Sequence, residues 1–320
     1  MNRAEPNALP ASGDSSAELA AVRAMIARHK RSDLVFASIG LIALSIAFAT
    51  FVALFVDMLA DGWSRFSPEF FTNFASRRPE QAGILAAWVG TLTIMFVTAL
   101  VAVPLGVAAG IYLEEYAPRN WVTALIEINI TNLAGVPSIV YGLLALGMFV
   151  HTFGFGASVR TAGLTLALLI LPIVIVATRE AIRAVPGSIR EAAYALGATR
   201  WQMVSHHVLP YSLPGVLTGV IIGLSRAIGE TAPIVTIGAV TFIAFLPPAP
   251  LTIEPPFLSF EWLTSAFTAM PIQIFNWTSR PEAAFQANAS AAALVLVAMT
   301  LVMNGIAIWL RYRLRRNLKW

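Results

Sequence analysis

The 320-residue chain has no cysteine, which excludes disulfides and thiolate metal sites. Charge is scarce: Asp, Glu, Lys and Arg fill 12% of positions, about half the share of an ordinary soluble domain. The four histidines, His29, His151, His206 and His207, show no ligand spacing such as H-E-x-x-H. No G-x-x-x-x-G-K-[ST] run occurs, so no P-loop binds ATP here. The few Ser, His and acidic side chains are scattered without a catalytic constellation. The sequence therefore gives no reason to expect enzyme chemistry, a metal or a cofactor.

What remains is apolar. Hydrophobic residues make up 58% of the chain, and several stretches run 18 residues or more with hardly a charge. Such a run, wound as a helix, crosses the roughly 30 Å hydrocarbon core of a bilayer. The runs are 34–56, 83–113, 121–150, 162–178, a stretch from 211 to 246, and 289–310. The expected fold is all-α, a polytopic membrane protein with six transmembrane helices. The first run is too long and begins too late for a cleaved signal peptide, so it is expected to stay as a span.

Charge placement orients the chain. The tail 311–320 carries five basic residues and no acid, and the arm 1–32 is also basic. Both ends are therefore expected in the cytoplasm, which requires an even number of spans. Counting 211–246 as one span gives six and puts 15 of the 21 Lys and Arg residues inside. The net charge of +4 thus reflects topology and contact with anionic membrane lipid, and nucleic-acid binding is not expected. The expected organisation is an arm (1–32), a first span with its outer loop (33–82), a core (83–310) containing a cytoplasmic loop (179–210), and a tail (311–320).

Two segments carry polar chemistry. In the loop, Ser188 and Glu191 have capping-box spacing after the Pro186-Gly187 break, predicting a helix from Ser188. Gly197 should end or bend it, Thr199 should cap a second short helix, and Leu209-Pro210 should stop that helix. In the fifth apolar stretch, Arg226 and Glu230 stand four apart and share a helix face. A charge at mid-bilayer costs about 2.5–3.5 kcal/mol on insertion scales, so this pair is not filler. Arg226 is the basic residue that this reading places inside a span. Its planar fork suits two oxygens of an oxyanion, while Glu230 would act indirectly because a carboxylate repels an anion. A self-contained structural ion pair is the plainer alternative. Gly135-Val136-Pro137 should interrupt the third span, with Ser138 and Tyr141 facing either a pathway or a packing kink. Residues 270–277 are expected to form a lateral interfacial helix, with Trp262 and Trp277 at headgroup level.

The order Glu191-Ala192-Ala193, three residues, Gly197, then Leu209-Pro210 resembles the signature loop of binding-protein-dependent ABC importer permeases, departing from it at His207. That resemblance implies a type I ABC importer permease fold whose loop, 188–209, docks on a separate ATPase. Ser188, Glu191, Ala192, Ala193 and Gly197 would then be the coupling residues. The string Arg226 to Pro233, with Gly-Glu-Thr-Ala-Pro at its end, is similar to the phosphate-importing branch and to its A-type chain. Gly135–Gly142 and Met270–Pro281 resemble further segments of that branch. The branch implies Arg226, Glu230, Thr231, Ser138 and Tyr141 along a phosphate path. It also implies a C-type permease as partner, a cytoplasmic ATPase dimer, an extracytoplasmic phosphate-binding protein, and residence in the bacterial inner membrane. Alternatives are a permease for another oxyanion such as sulfate or molybdate, an anion-specific secondary transporter or channel, and a membrane scaffold. Inverted repeats of broken helices would favour a secondary transporter, and none is clear in the sequence.

Overall fold

The computed structural model describes residues 14–250, 257 and 259–315, and these are helical with no strand among them. The expectations for residues 1–13 and 316–320 lie outside the described residues. Two compact units are distinguished, 1–57 and 58–320. The first consists of most of helix α1 (Asp14–Gly62), whose apolar residues from Leu34 to Phe55 are exposed.

The second unit begins with a short helix, α2 (Pro68–Thr72), capped by Ser67. Helix α3 (Leu85–Ile111) runs on through a π turn, Tyr112–Tyr116. The third apolar run is broken in two, α4 (Trp121–Leu133) and α5 (Ser138–Ala145) with its π extension to Thr152, bent by 106°. Pro137 has no N–H, and it sits at the start of α5 with extended ψ, so the ladder stops there. Helix α6 (Val159–Arg183) follows, then the loop helices α7 (Gly187–Ala195) and α8 (Arg200–Met203). Helix α9 (Leu209–Ile228) continues from α8 through a π turn, Val204–Val208, making one helical run from Arg200 to Ile228. Helices α10 (Ala232–Thr236), α11 (Met270–Thr278) and α12 (Ala283–Arg315) complete the chain.

Among the described residues, five helices are long and apolar enough to cross a membrane, and the bent α4–α5 pair, taken as one span, makes six. The six expected spans are thus present, with one broken. The fifth helix stops at Ile228, short of the expected 246, because Gly229, Pro233 and Gly238 (φ +93°) interrupt it in turn.

Helices α3, α6 and α9 form the core, and small residues set their approach. A Cβ on Gly106 or Gly110 of α3 would fall 2.7 Å from Val174 Cγ1 or 2.6 Å from Thr178 Cβ of α6. On the other flank, Gly215 would meet Ala181, and Gly219 would meet Ala177. Both flanks therefore use small residues four apart, the spacing that lets membrane helices pack closely when water drives nothing. Helix α11 packs one face into the bundle. Met270, Ile272 and Trp277 are fully buried against α12 and α3, so Trp277 is a core side chain rather than a headgroup anchor. Trp262 is half-buried and packs on Phe96.

Candidate functional site

Two polar regions stand out, one at the loop end of the bundle and one where α9 ends. At the loop end, α7 starts at Gly187 with Pro186 as N-cap, and no side-chain cap forms. The expected Ser188–Glu191 capping box is therefore absent: the Pro186-Gly187 pair starts the helix one residue earlier and leaves Ser188 inside it. The far end of α7 matches expectation. Gly197 adopts φ +82°, its N–H donates to Tyr194 O, and Ala198 N–H donates to Ala193 O. This is the glycine-dependent pattern that satisfies a helix's last carbonyls. Thr199 caps α8 with a full capping box to Gln202. Leu209-Pro210 does not end the second helix. Pro210 sits in the first turn of α9, directly after the π turn, where its missing N–H costs little.

Ala193 turns inward and packs with Ile182, Val185, Met203, Val204 and Val208. Ser188, Glu191, Ala192 and Gly197 face outward. Leu196 is 88% exposed, with Trp201 and Tyr194 also exposed.

Beneath this loop lies an ion-pair network that the sequence did not reveal. Arg190 of α7 donates to Glu115 Oε1 at 2.8 and 3.0 Å and to the carbonyls of Ile182 and Val185. Arg183 grips Glu114 with two bonds, 2.9 and 3.2 Å. Arg179 Nη2 meets Glu127 Oε1 at 2.7 Å and joins α6 to α4. Arg179 lies within the α6 run and is 8% exposed, so Arg226 is not alone among span cations. The partners are far apart in sequence, and only the adjacent acids Glu114-Glu115 at the end of an apolar run hinted at them.

At the second region, α9 ends. Its C-cap is Gly229, and Glu230 N–H donates to Ala227 O. Arg226 Nε donates to Glu230 Oε1 at 3.3 Å, so the pair expected from the spacing forms. Arg226 is about one-third exposed and Glu230 less so. The position of Arg226 follows from the neighbouring helix. Arg311 near the end of α12 donates to Thr218, and Ser225 donates to Asn304 further up α12. Arg226 lies eight residues beyond Thr218, about 12 Å along the helix at 1.5 Å per residue. Arg226 therefore lies inside the bundle, well away from the end where Arg311 meets Thr218.

The segment after the Gly229 break packs on α5, the second half of the third span. Thr231 precedes α10, whose Thr236 hydroxyl donates to Pro233 O. A Cβ on Gly142 of α5 would lie 2.7 Å from Pro233 Cα, and it would also overlap Thr236. The two segments singled out from the sequence therefore touch. Tyr141 is buried, its hydroxyl donates to Leu133 O across the α4–α5 bend, and it lies within electrostatic reach of Arg226. Its hydroxyl thus braces the bend. Ser138 begins α5 and is half-exposed.

Comparison with known proteins agrees with this architecture. The family described as "Binding-protein-dependent transport system inner membrane component" matches residues 102–320. The "Probable ABC transporter permease protein YqgI" of Bacillus subtilis (strain 168) is 35% identical over 276 residues, covering 85% of this chain and 92% of that protein. The "Phosphate transport system permease protein PstA" of Mycobacterium leprae (strain TN) is 33% identical over 231 residues, covering 71% and 70%. Among solved structures, a chain of a bacterial alginate ABC transporter superposes with TM-score 0.61 at 16% identity, covering 87% of this chain and 93% of that one. That last likeness speaks to the fold alone. Matched by that family model over residues 102–320 and similar over 85% of its length to a permease subunit, the chain belongs to the family of binding-protein-dependent ABC importer permeases, multi-pass proteins of the inner membrane.

Proposed function

We propose that the chain is one of two permease subunits of an ATP-driven inorganic phosphate importer, lines half of the path, and performs no hydrolysis itself. The observation that carries this reading is the guanidinium of Arg226, held at the end of an apolar helix by one nitrogen. Glu230 engages only its Nε, so the Nη edge of the fork is left to bind two oxygens of an anion. Glu230 orients Arg226, and the helix breaks at Gly135–Pro137 and Gly229–Thr231 leave backbone that can line a cavity. The similarity to a phosphate permease supports phosphate over sulfate or molybdate.

The second half of the path is a C-type permease. Supporting this, α4 has no buried residue, and Asn129 and Asn132 are exposed on it at a depth where lipid solvates them poorly. The ATPase dimer docks on the outward face of α7–α8, where Glu191, Ala192, Tyr194, Leu196 and Trp201 are exposed beside the Gly197 turn. An extracytoplasmic phosphate-binding protein delivers the substrate at the opposite end, and both chain termini lie in the cytoplasm.

Two measurements test the reading together. A P-loop ATPase should copurify with the chain and be lost on Glu191→Lys. Uptake by the reconstituted complex should require ATP and be inhibited by unlabelled phosphate far more than by sulfate or molybdate. Anion flux through the purified chain alone, without ATP, would instead establish a channel or secondary transporter.

A further inference from the structure

At the end of the bundle opposite the loop, a cleft of about 800 Å³ runs along the outer face of α3. Its floor is Leu92, Phe96 and Leu100, one residue per turn of α3, and each is more than half exposed. Leu164 of α6 and Trp262 form its walls, and Pro247–Pro250 overhang it. The hydroxyl of Thr93 in the lining already donates to Val89 O and Gly90 O, so it offers no donor to a solute. The single charged residue of the lining is Arg160, in the first turn of α6.

Arg160 is poorly satisfied. Its guanidinium lies over the Phe155 ring, 4.3 Å from the centroid. Its one hydrogen bond, to Phe155 O, is long at 3.4 Å, and its buried Nε has no partner. Among the described residues no carboxylate pairs with it. Phe155 precedes α6, so this stacking turns the guanidinium towards the membrane surface.

The dimensions select an occupant. The cleft follows α3 from Val89 to Val101, twelve residues or about 18 Å at 1.5 Å per residue. Half of a 30 Å hydrocarbon core is about 15 Å, so the cleft spans one leaflet and ends near mid-depth. A spanning protein helix has no reason to stop there, and a free anion would find one cation above an apolar trough. A lipid has the matching form: acyl chains for the trough and a phosphate for the cation.

We propose that this cleft is a binding site for one anionic phospholipid, its acyl chains along Leu92, Phe96 and Leu100 and its phosphate on Arg160. This site is separate from the transport path, and its existence does not depend on which anion the protein carries. One basic residue at an anionic surface is worth about 1 kcal/mol, a preference of about fivefold for a charged over a zwitterionic headgroup.

The test uses the full chain in vesicles of phosphatidylglycerol and phosphatidylethanolamine, with a photoactivatable acyl chain placed on one lipid or the other. Peptides containing residues 89–101 should be labelled about fivefold more by the phosphatidylglycerol probe. Arg160→Gln should abolish that preference, Arg160→Lys should retain it, and Leu100→Trp should reduce labelling by both probes by blocking the trough. Equal labelling by both probes in the unaltered chain would overturn the proposal. So would capture of a polypeptide, rather than lipid, by a photoreactive residue at position 96.

Discussion

The loop end and the break after α9 both carry charge, but they hold it differently. At the loop end, Arg179, Arg183 and Arg190 each meet at least one carboxylate, and Arg190 also closes two carbonyls at the end of α6. At the end of α9, Arg226 has one ion pair, through one nitrogen. A network with every member engaged makes a rigid part, as a lever must be. A cation in a low-dielectric setting with donors to spare makes a binding site. The difference supports the proposed division, force transmission at the loop end and anion recognition at Arg226.

The comparison can be broken by substitution. The largest effect on stability should come from Arg190→Ala. It leaves Glu115, which is nearly buried, without a partner and frees the carbonyls of Ile182 and Val185. A cost of about 3 kcal/mol is expected, the low end for breaking a buried pair because Arg190 is partly exposed. Thermal unfolding of the purified chain would measure it, and an unchanged midpoint would mean that the loop is not anchored this way. Gly142→Val comes next, at about 2 kcal/mol, because a side chain there collides with Pro233 and Thr236. Transport should suffer more than stability, since the collision displaces the segment carrying Glu230, and uptake relative to folded protein would show this.

Gly197→Ala should cost about 1–2 kcal/mol from φ +82° alone. Its signature is hydrolysis by the ATPase that no longer tracks transport, read as the ratio of phosphate released to substrate moved. The smallest effect is expected of Arg183→Ala. Its guanidinium is half-exposed and its grip on Glu114 is screened, so about 0.5 kcal/mol is the expected loss of stability, falling further at high salt.

The spans and the break at Gly135-Pro137 were legible because hydrophobic run length and those residues act locally, whereas the break at Gly229 was missed because 211–246 reads as one apolar run. The Gly197 turn and the Thr199 cap were legible because they are local too. Ser188 and Pro210 were misread where two local signals competed: Pro186 took the cap from Ser188, and the π turn made Pro210 a helix start. The Arg190–Glu115 and Arg179–Glu127 pairs were not legible, because partners 75 and 52 residues apart meet only after α3, α4 and α6 pack. Trp277 was misassigned because a tryptophan at an interface and one in a core look alike in sequence. The close approach of α5 to α10 at Gly142 had a signal, a glycine within an apolar helix, but only the fold identifies what it faces.

The central claim is that Arg226 contacts the transported anion while the energy enters elsewhere. The most direct test reconstitutes the complete transporter with Arg226→Ala and measures labelled phosphate uptake and ATP hydrolysis in the same vesicles. The account predicts that assembly and basal hydrolysis persist while uptake is lost. Uptake at the level of the unaltered complex would show that Arg226 only pairs with Glu230 and would contradict it.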